Sequence, residues 1–541
     1  MNKHCYRLIF SRTHGELRVV SELARSCSSE PGQTRATGAP RLWVTVRRVI
    51  WMLGLTLCAG TATAGGIVAD GQAGAQRPQV IATQNGLPQV NITAPNQAGV
   101  SHNQYRQFDV DKKGAILNNS ASMTSTQLAG MIQGNPNLNP KSAPARVILN
   151  EVNSNNPSEL RGFLEVAGGR AQVIVANPAG IVCNGCGTIN AGRMTLTTGK
   201  PQLNADGSLA GYQVERGTVR IEGGGLNGDA RHDTEYVDVL ARAVDINAGV
   251  WARQGLNVVA GRNRISADGK TVTALATDGK APELAIDMGQ MGGMYSGQIR
   301  MIGTEAGVGV RNQGGHIQAA KTLTVSSEGK LTWQSGSQDA VTQAGGDIRL
   351  AARDTLEHHG KLHGGGTVSV ESREGEIKQS GTLAAAGDVA LRAKRGISSS
   401  GHLLAGSDAD STLTREADLT LTSQGTLRAS GSLLSKKDVK ISGKRVDLSQ
   451  STLAARRASI DAGAEGVALQ QARVDAGELA VSTAGDITAR QAQVGAGRWD
   501  IEAASLSAQG GVWSQTAGGE SRFALTGQLD NTGGSMEARQ L

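Results

Sequence analysis

The chain has 541 residues, 73 of them glycine and only 3% aromatic, and this scarcity of rings excludes a set of ordinary globular domains with thick cores. Thin, regularly stacked cores suit such a composition better. The formal net charge of +7 belongs to residues 1–64, with nine Lys/Arg and three acids against 45 and 44 in the remainder, which excludes a nucleic-acid footprint.

The first element reads as an export signal. Arg47 and Arg48 precede the apolar run Val49–Cys58, and Ala62-Thr63-Ala64 forms an A-x-A cleavage site, with the cut between Ala64 and Gly65. The run falls short of the ~20 apolar residues a membrane span needs. Leu57 stands where a lipoprotein site at Cys58 would want a small residue. Ahead of Arg47, Met1-Asn2-Lys3, Tyr6-Arg7-Leu8-Ile9-Phe10 and Val19-Val20-Ser21-Glu22-Leu23-Ala24-Arg25-Ser26 resemble the extended signal-peptide region of large type V exoproteins of Gram-negative bacteria. That resemblance implies passage through the inner membrane to the periplasm. Cleavage would remove Cys5, Cys27 and Cys58 and leave Cys183 and Cys186 at C-x-x-C spacing. In an oxidising compartment this pair reads as a local disulfide pinning one turn. A redox site would need a thioredoxin-like βαβ setting, and a zinc site a second pair.

After Gly65 come short apolar runs at Asn85–Ile92, Gly99–Tyr105, Phe108–Val110, Gly114–Ser120, Val147–Leu149 and Phe163–Val166. Their alternation with polar residues predicts half-buried strands. In Val173–Gly199 the runs Val173–Val175, Ile181–Val182 and Met194–Leu196 are separated by Asn, Gly and Pro every few residues, which predicts strands joined by tight turns. From about Asn85 to Gly199 the sequence resembles the two-partner secretion (haemagglutination-activity) domain of the filamentous haemagglutinin family, shared with contact-dependent inhibition exoproteins. The resemblance implies a right-handed parallel β-helix. It also implies two turn motifs, N-P-N-L and N-P-N-G, used in secretion through a dedicated outer-membrane barrel with periplasmic POTRA domains. The first motif stands here as Asn135-Pro136-Asn137-Leu138 and the second as Asn177-Pro178-Ala179-Gly180. Ala179 replaces the family's Asn, which puts a side-chain role at that position in doubt while keeping the Pro-to-Gly turn.

From about Arg311 the chain repeats. Leu433, Leu453, Val474 and Val494 form one apolar series, Ile441, Ile460, Val481 and Ile501 a second, and Val446, Val467, Ile487 and Leu506 a third, all with steps of 19 to 21 residues. Leu362, Leu383 and Leu403 share the period. Three apolar series with one period predict an all-β parallel solenoid of about 20 residues and three short strands per coil. A leucine-rich repeat would show an L-x-x-L-x-L core and an Asn ladder, which are missing. Residues 65–310 are thus expected to form the secretion domain and 311–541 the haemagglutinin-type repeats, with a cap at the start from the residues after Gly65. No cap is evident at the end, and the resemblance to much longer family members suggests a short or truncated form.

Catalytic chemistry is thinly represented. His358, His359 and His363 lack neighbouring acids at metal-ligand spacing. Asp408-Ala409-Asp410 lacks the remainder of a calcium loop. Glu371 with Glu374, and Asp475 with Glu478, are the only neighbours offered for a β-helical lyase or glycosidase, and they read as solvated turn charges. A carboxyl-terminal run of membrane strands, as an autotransporter would carry, is absent. The expectation is therefore a secreted or surface-exposed adhesin, not an enzyme, with no cofactor or metal. It would thread unfolded through a partner barrel, fold outside, and bind a carbohydrate or protein receptor on another cell. The alternatives are the stalk of a contact-dependent growth inhibition toxin and a polysaccharide-degrading enzyme.

Overall fold

The computed structural model describes residues 66–228, 233–335 and 341–539, and near the amino terminus the strands Tyr6–Ser11 and Glu16–Ser21. Those two strands pair antiparallel, Tyr6 opposite Ser21 and Ser11 opposite Glu16, as a unit of their own. The expected cleavage site at Ala64–Gly65 and the three leader cysteines lie outside the described residues.

From Ile67 onward the described residues are strands and turns, with a single 3₁₀ turn at Gly74–Gln76. Each strand follows its alternation. Val368–Ser372 buries Val368, Val370 and Ser372 and turns Ser369 and Glu371 outward. Successive coils pair in parallel and in register, so equivalent residues stack. Leu433 lies beside Leu453, Leu453 beside Val474, and Val474 beside Val494. Ile441, Ile460, Val481 and Ile501 stack in the same way, as do Val446, Val467, Ile487 and Leu506. All are buried in one continuous apolar core. The result is a parallel β-solenoid that advances about 4.8 Å per coil, as the period requires.

The coil period is held by turns as well as by the core. Gln450, Gln471 and Gln491 occupy equivalent corners in the left-handed region, at φ 64°, 57° and 55°, and Gly510 follows at 63°. Their amides form a ladder, Gln450 Nε2 donating to Gln471 Oε1 at 3.2 Å and Gln471 Nε2 to Gln491 Oε1 at 2.9 Å. These bonds offset the left-handed strain of a residue with a Cβ. The period breaks between Leu403 and Leu433, which pair directly although they are 30 residues apart. The excess forms a loop around Asp408, whose carboxylate accepts the backbone N–H groups of Asp410 and Thr412. That loop holds the Asp408-Ala409-Asp410 run, which lacks the remainder of a calcium loop.

Two features interrupt the plain solenoid. At its start, Ile67–Ala69 pairs antiparallel with Val100–Phe108, and Gln79–Ala82 pairs antiparallel with Pro88–Asn91, which in turn lies parallel to Ala115–Asn119. These antiparallel strands occupy the edge of the first coils, where an open edge would otherwise recruit another chain. Further along, Lys200–Leu203, Leu209–Val214, Asn263–Ser266 and Val272–Ala274 form a four-stranded antiparallel sheet outside the coils. It covers a second apolar cluster of Val100, Leu149, Ile174, Ala176, Tyr212, Val214, Leu240, Val259 and Ile265. Strand Ala171–Ala176 is therefore apolar on both faces, Val173 and Val175 facing the solenoid core and Ile174 and Ala176 the added sheet.

Candidate functional site

The two Asn-Pro turns have the same geometry. In the first, the Asn135 carboxamide is buried, and its Nδ2 donates to the carbonyls of Ile92 and Asn118, each at 2.9 Å. Its Oδ1 accepts the N–H of Asn137 at 2.9 Å, and its carbonyl accepts the N–H of Leu138 at 3.1 Å. One side chain thus closes its own turn and ties it to two earlier strands. Asn137 adds bonds from its Nδ2 to the carbonyls of Asn91 and Ile92, each at 3.2 Å. Pro136 is exposed and Leu138 half-buried.

In the second turn, Asn177 Nδ2 donates to the Asn156 carbonyl at 2.9 Å and to Ser158 Oγ at 3.0 Å. Its Oδ1 accepts the Ala179 N–H at 2.9 Å, and its carbonyl accepts the Gly180 N–H at 3.0 Å. Ala179 contributes only that backbone donor, whereas Asn137 at the matching place uses its side chain as well. Gly180 adopts φ 122°, which favours glycine. Pro178 and Ala179 are half-buried.

Sequence reasoning missed the side chains that surround the first turn. Asn118 Nδ2 donates to Asn91 Oδ1 at 2.9 Å, and Asn119 clamps Ala145 with both its donor and its acceptor, each at 2.8 Å. The available signal was the recurrence of Asn at the ends of the apolar runs. Glu165 was also missed. Its buried carboxylate accepts the N–H groups of Gln127 and Leu128 at 2.6 and 2.8 Å, anchoring the hairpin Thr124–Thr126/Gly130–Ile132. Glu165→Ala is expected to release that hairpin at a cost of about 2 kcal/mol, read as faster hydrogen exchange at Gln127 and Leu128 with the coil amides unchanged.

Cys183 and Cys186 are bonded to each other and buried in the solenoid core. So short a loop gains little from closure, and the double replacement Cys183→Ala/Cys186→Ala is expected to lower stability by about 2 kcal/mol in denaturant titration.

The groups considered for chemistry do not converge. His358 is fully buried with neither ring nitrogen hydrogen-bonded, His359 meets Ser380 Oγ at 2.6 Å, and His363 meets the Ser407 carbonyl at 3.2 Å. Among the described residues no three His, Cys, Asp or Glu side chains are placed to hold a metal. Glu371 and Glu374 lie near Arg349 and Arg353 at 3.5 and 3.6 Å, and Glu478 bridges Arg457 and Arg498. These carboxylates are rungs of ion ladders between coils, and Asp475 is exposed.

Stacked parallel coils with capped first coils and two Asn-Pro turns define a β-solenoid repeat protein. Residues 1–51 match the family described as the extended signal peptide of the type V secretion system, and residues 65–333 match the TPS secretion domain. The haemagglutinin repeat matches at 336–375, 372–431 and 412–533. Toxin CdiA of Yersinia pestis is 39% identical over 548 residues, covering 100% of this chain and 16% of that protein. tRNA nuclease CdiA-2 of Burkholderia pseudomallei is 38% identical over 460 residues, covering 84% of this chain and 14% of that protein. A crystal structure of the filamentous hemagglutinin secretion domain is 34% identical, covering 64% of this chain and 98% of that one, with a TM-score of 0.46.

The chain belongs to the filamentous haemagglutinin family of two-partner secretion exoproteins. It is exported across the envelope, to the cell surface or beyond. It spans less than a fifth of the length of these two curated relatives.

Proposed function

We propose that this chain is the export-and-display part of a surface adhesin, with no catalytic role of its own. The observation that supports this reading is the pair of Asn-pinned turns in the capped first coils, followed by coils that stack in register. The secretion region engages the periplasmic POTRA domains of the partner barrel, the chain threads through unfolded, and the coils form outside. Each coil that stacks buries its apolar residues against the last, which opposes return. The exposed flank then meets a receptor on another cell.

A second reading is favoured by the relatives' names: the same rod would serve as the stalk of a contact-dependent toxin. Fractionation of a producing strain with and without the partner barrel tests the export mechanism, with sequencing of the mature amino terminus. The expected result is barrel-dependent extracellular protein beginning at Gly65; export without the barrel would overturn it. Attachment of cells bearing this chain alone, compared with cells lacking it, separates adhesin from stalk.

A further inference from the structure

A cavity of about 220 Å³ opens on the outer face of the solenoid, beside the free end of the added sheet. Its floor follows from the register. Arg193, Tyr236, Gly255 and Gln298 are successive partners across four parallel strands, as are Thr195, Asp238, Asn257 and Arg300. Arg193 covers one side of the Tyr236 ring, its Cζ 4.7 Å from the centroid. On the other side the next coil supplies Gly255, so no side chain covers the ring there. A Cβ at that position would sit 3.0 Å from Tyr236 Cδ1. The Tyr236 hydroxyl donates to Gln254 Oε1 at 2.6 Å, which holds the ring in place.

Charged and amide side chains stand among the apolar lining. Asp238 is buried, paired with Arg193 at 2.7 Å and bonded to Asn257 Nδ2 at 3.3 Å. Arg300 donates to Asn257 Oδ1 at 2.8 Å and to the carbonyls of Gly269 and Lys270 at 3.1 and 3.3 Å, all neutral acceptors. Asp268 accepts from Ser266 Oγ at 2.5 Å and from the Lys270 N–H at 3.1 Å. The lining thus holds three cations against two carboxylates: Arg193 pairs with Asp238 and Lys270 lies 3.8 Å from Asp268, which leaves Arg300 as the surplus charge. Among the described residues Arg300 has no carboxylate in ion-pair contact, and a half-buried guanidinium without one favours an incoming anion.

We propose that this cavity binds one acidic pyranose residue of a surface polysaccharide, its C–H face on Tyr236 and its carboxylate toward Arg300 and Lys270. An aromatic floor with an amide and charged rim suits a ring that is apolar on its face and polar at its edge. The site's use by a cell rests on the adhesin reading above; binding by the purified chain does not.

The test is saturation-transfer NMR and titration of the full secreted chain with glucuronate, glucose and acetate. Glucuronate is expected to bind more tightly than either glucose or acetate. Gly255→Thr, which fills the cavity without removing any polar group, is expected to weaken glucuronate binding about tenfold. Lys270→Glu, an exposed change that leaves the fold alone, is expected to weaken it about threefold. Unchanged thermal unfolding of Lys270→Glu keeps the test valid if Gly255→Thr misfolds. Absent glucuronate binding, equal binding of acetate, or undiminished binding by a folded Gly255→Thr would overturn the proposal. Intact sugar binding with no cell attachment would overturn the adhesin reading and leave the site standing.

Discussion

Asn135→Ala is expected to destabilise the secretion region by about 3 kcal/mol and to reduce export sharply. The substitution leaves the Asn118 carbonyl and the Asn137 N–H without their side-chain partner and the Ile92 carbonyl with the Asn137 amide alone, around a buried position. Each unsatisfied buried group carries a desolvation cost, and the water that would repair it has little access. Pro136→Ala at the exposed corner of the same turn removes only backbone pre-organisation, and its cost should stay under about 1 kcal/mol. Denaturant titration of the secreted chain and measurement of the exported fraction separate the two roles of the motif. Export that falls only with stability places the motif in the fold. A folded Pro136→Ala variant that is not exported places the exposed corner on the transporter.

Acidification is expected to weaken the repeat region through His358. Burial drives its pKa from 6.5 down to about 4, and the neighbouring His359 adds to the shift. The native state therefore resists protonation in a pH range where the unfolded chain accepts it. Stability from this group is complete above pH 6.5 and is lost progressively as the pH falls towards 4, by about 3 kcal/mol in all. His358 stacks between Trp333 and Gln379 inside the coils, so water does not reach the ring. His358→Leu should remove this part of the acid dependence and leave the remainder. Denaturant midpoints of both proteins at pH 7.5, 5.5 and 4.5 check it, and a constant difference between them would refute the assignment. Near neutrality the leucine variant should be as stable or more so, because a neutral imidazole keeps an unbonded N–H in the core.

The stacked series were legible because a solenoid repeats one local rule. Every coil must place an apolar side chain at the same point of the cross-section, so Leu433, Leu453, Val474 and Val494 announce their contacts by spacing alone. The export signal was legible for a similar reason, since a translocation machinery reads it as local sequence. The Asn-Pro turns were visible as turns, but not the part each residue plays in them. That Asn135 reaches Ile92, and Asn177 reaches Asn156, depends on which coils are adjacent.

The added antiparallel sheet and the cavity beside it were decided only by the tertiary structure. Leu209–Val214 pairs with Asn263–Ser266 across five intervening coil strands, and nothing in either segment's local pattern names its partner. The outward apolar residues Ile174, Leu240 and Val259 read as strand propensity until that sheet is laid over them. In the same way Arg193, Tyr236, Gly255 and Arg300 become neighbours only because successive coils align them. Period and composition settle how a coil is built, because that is a matter of local burial. Where the coil is decorated, and what the decoration encloses, depends on pairing between distant segments, which sequence spacing does not encode.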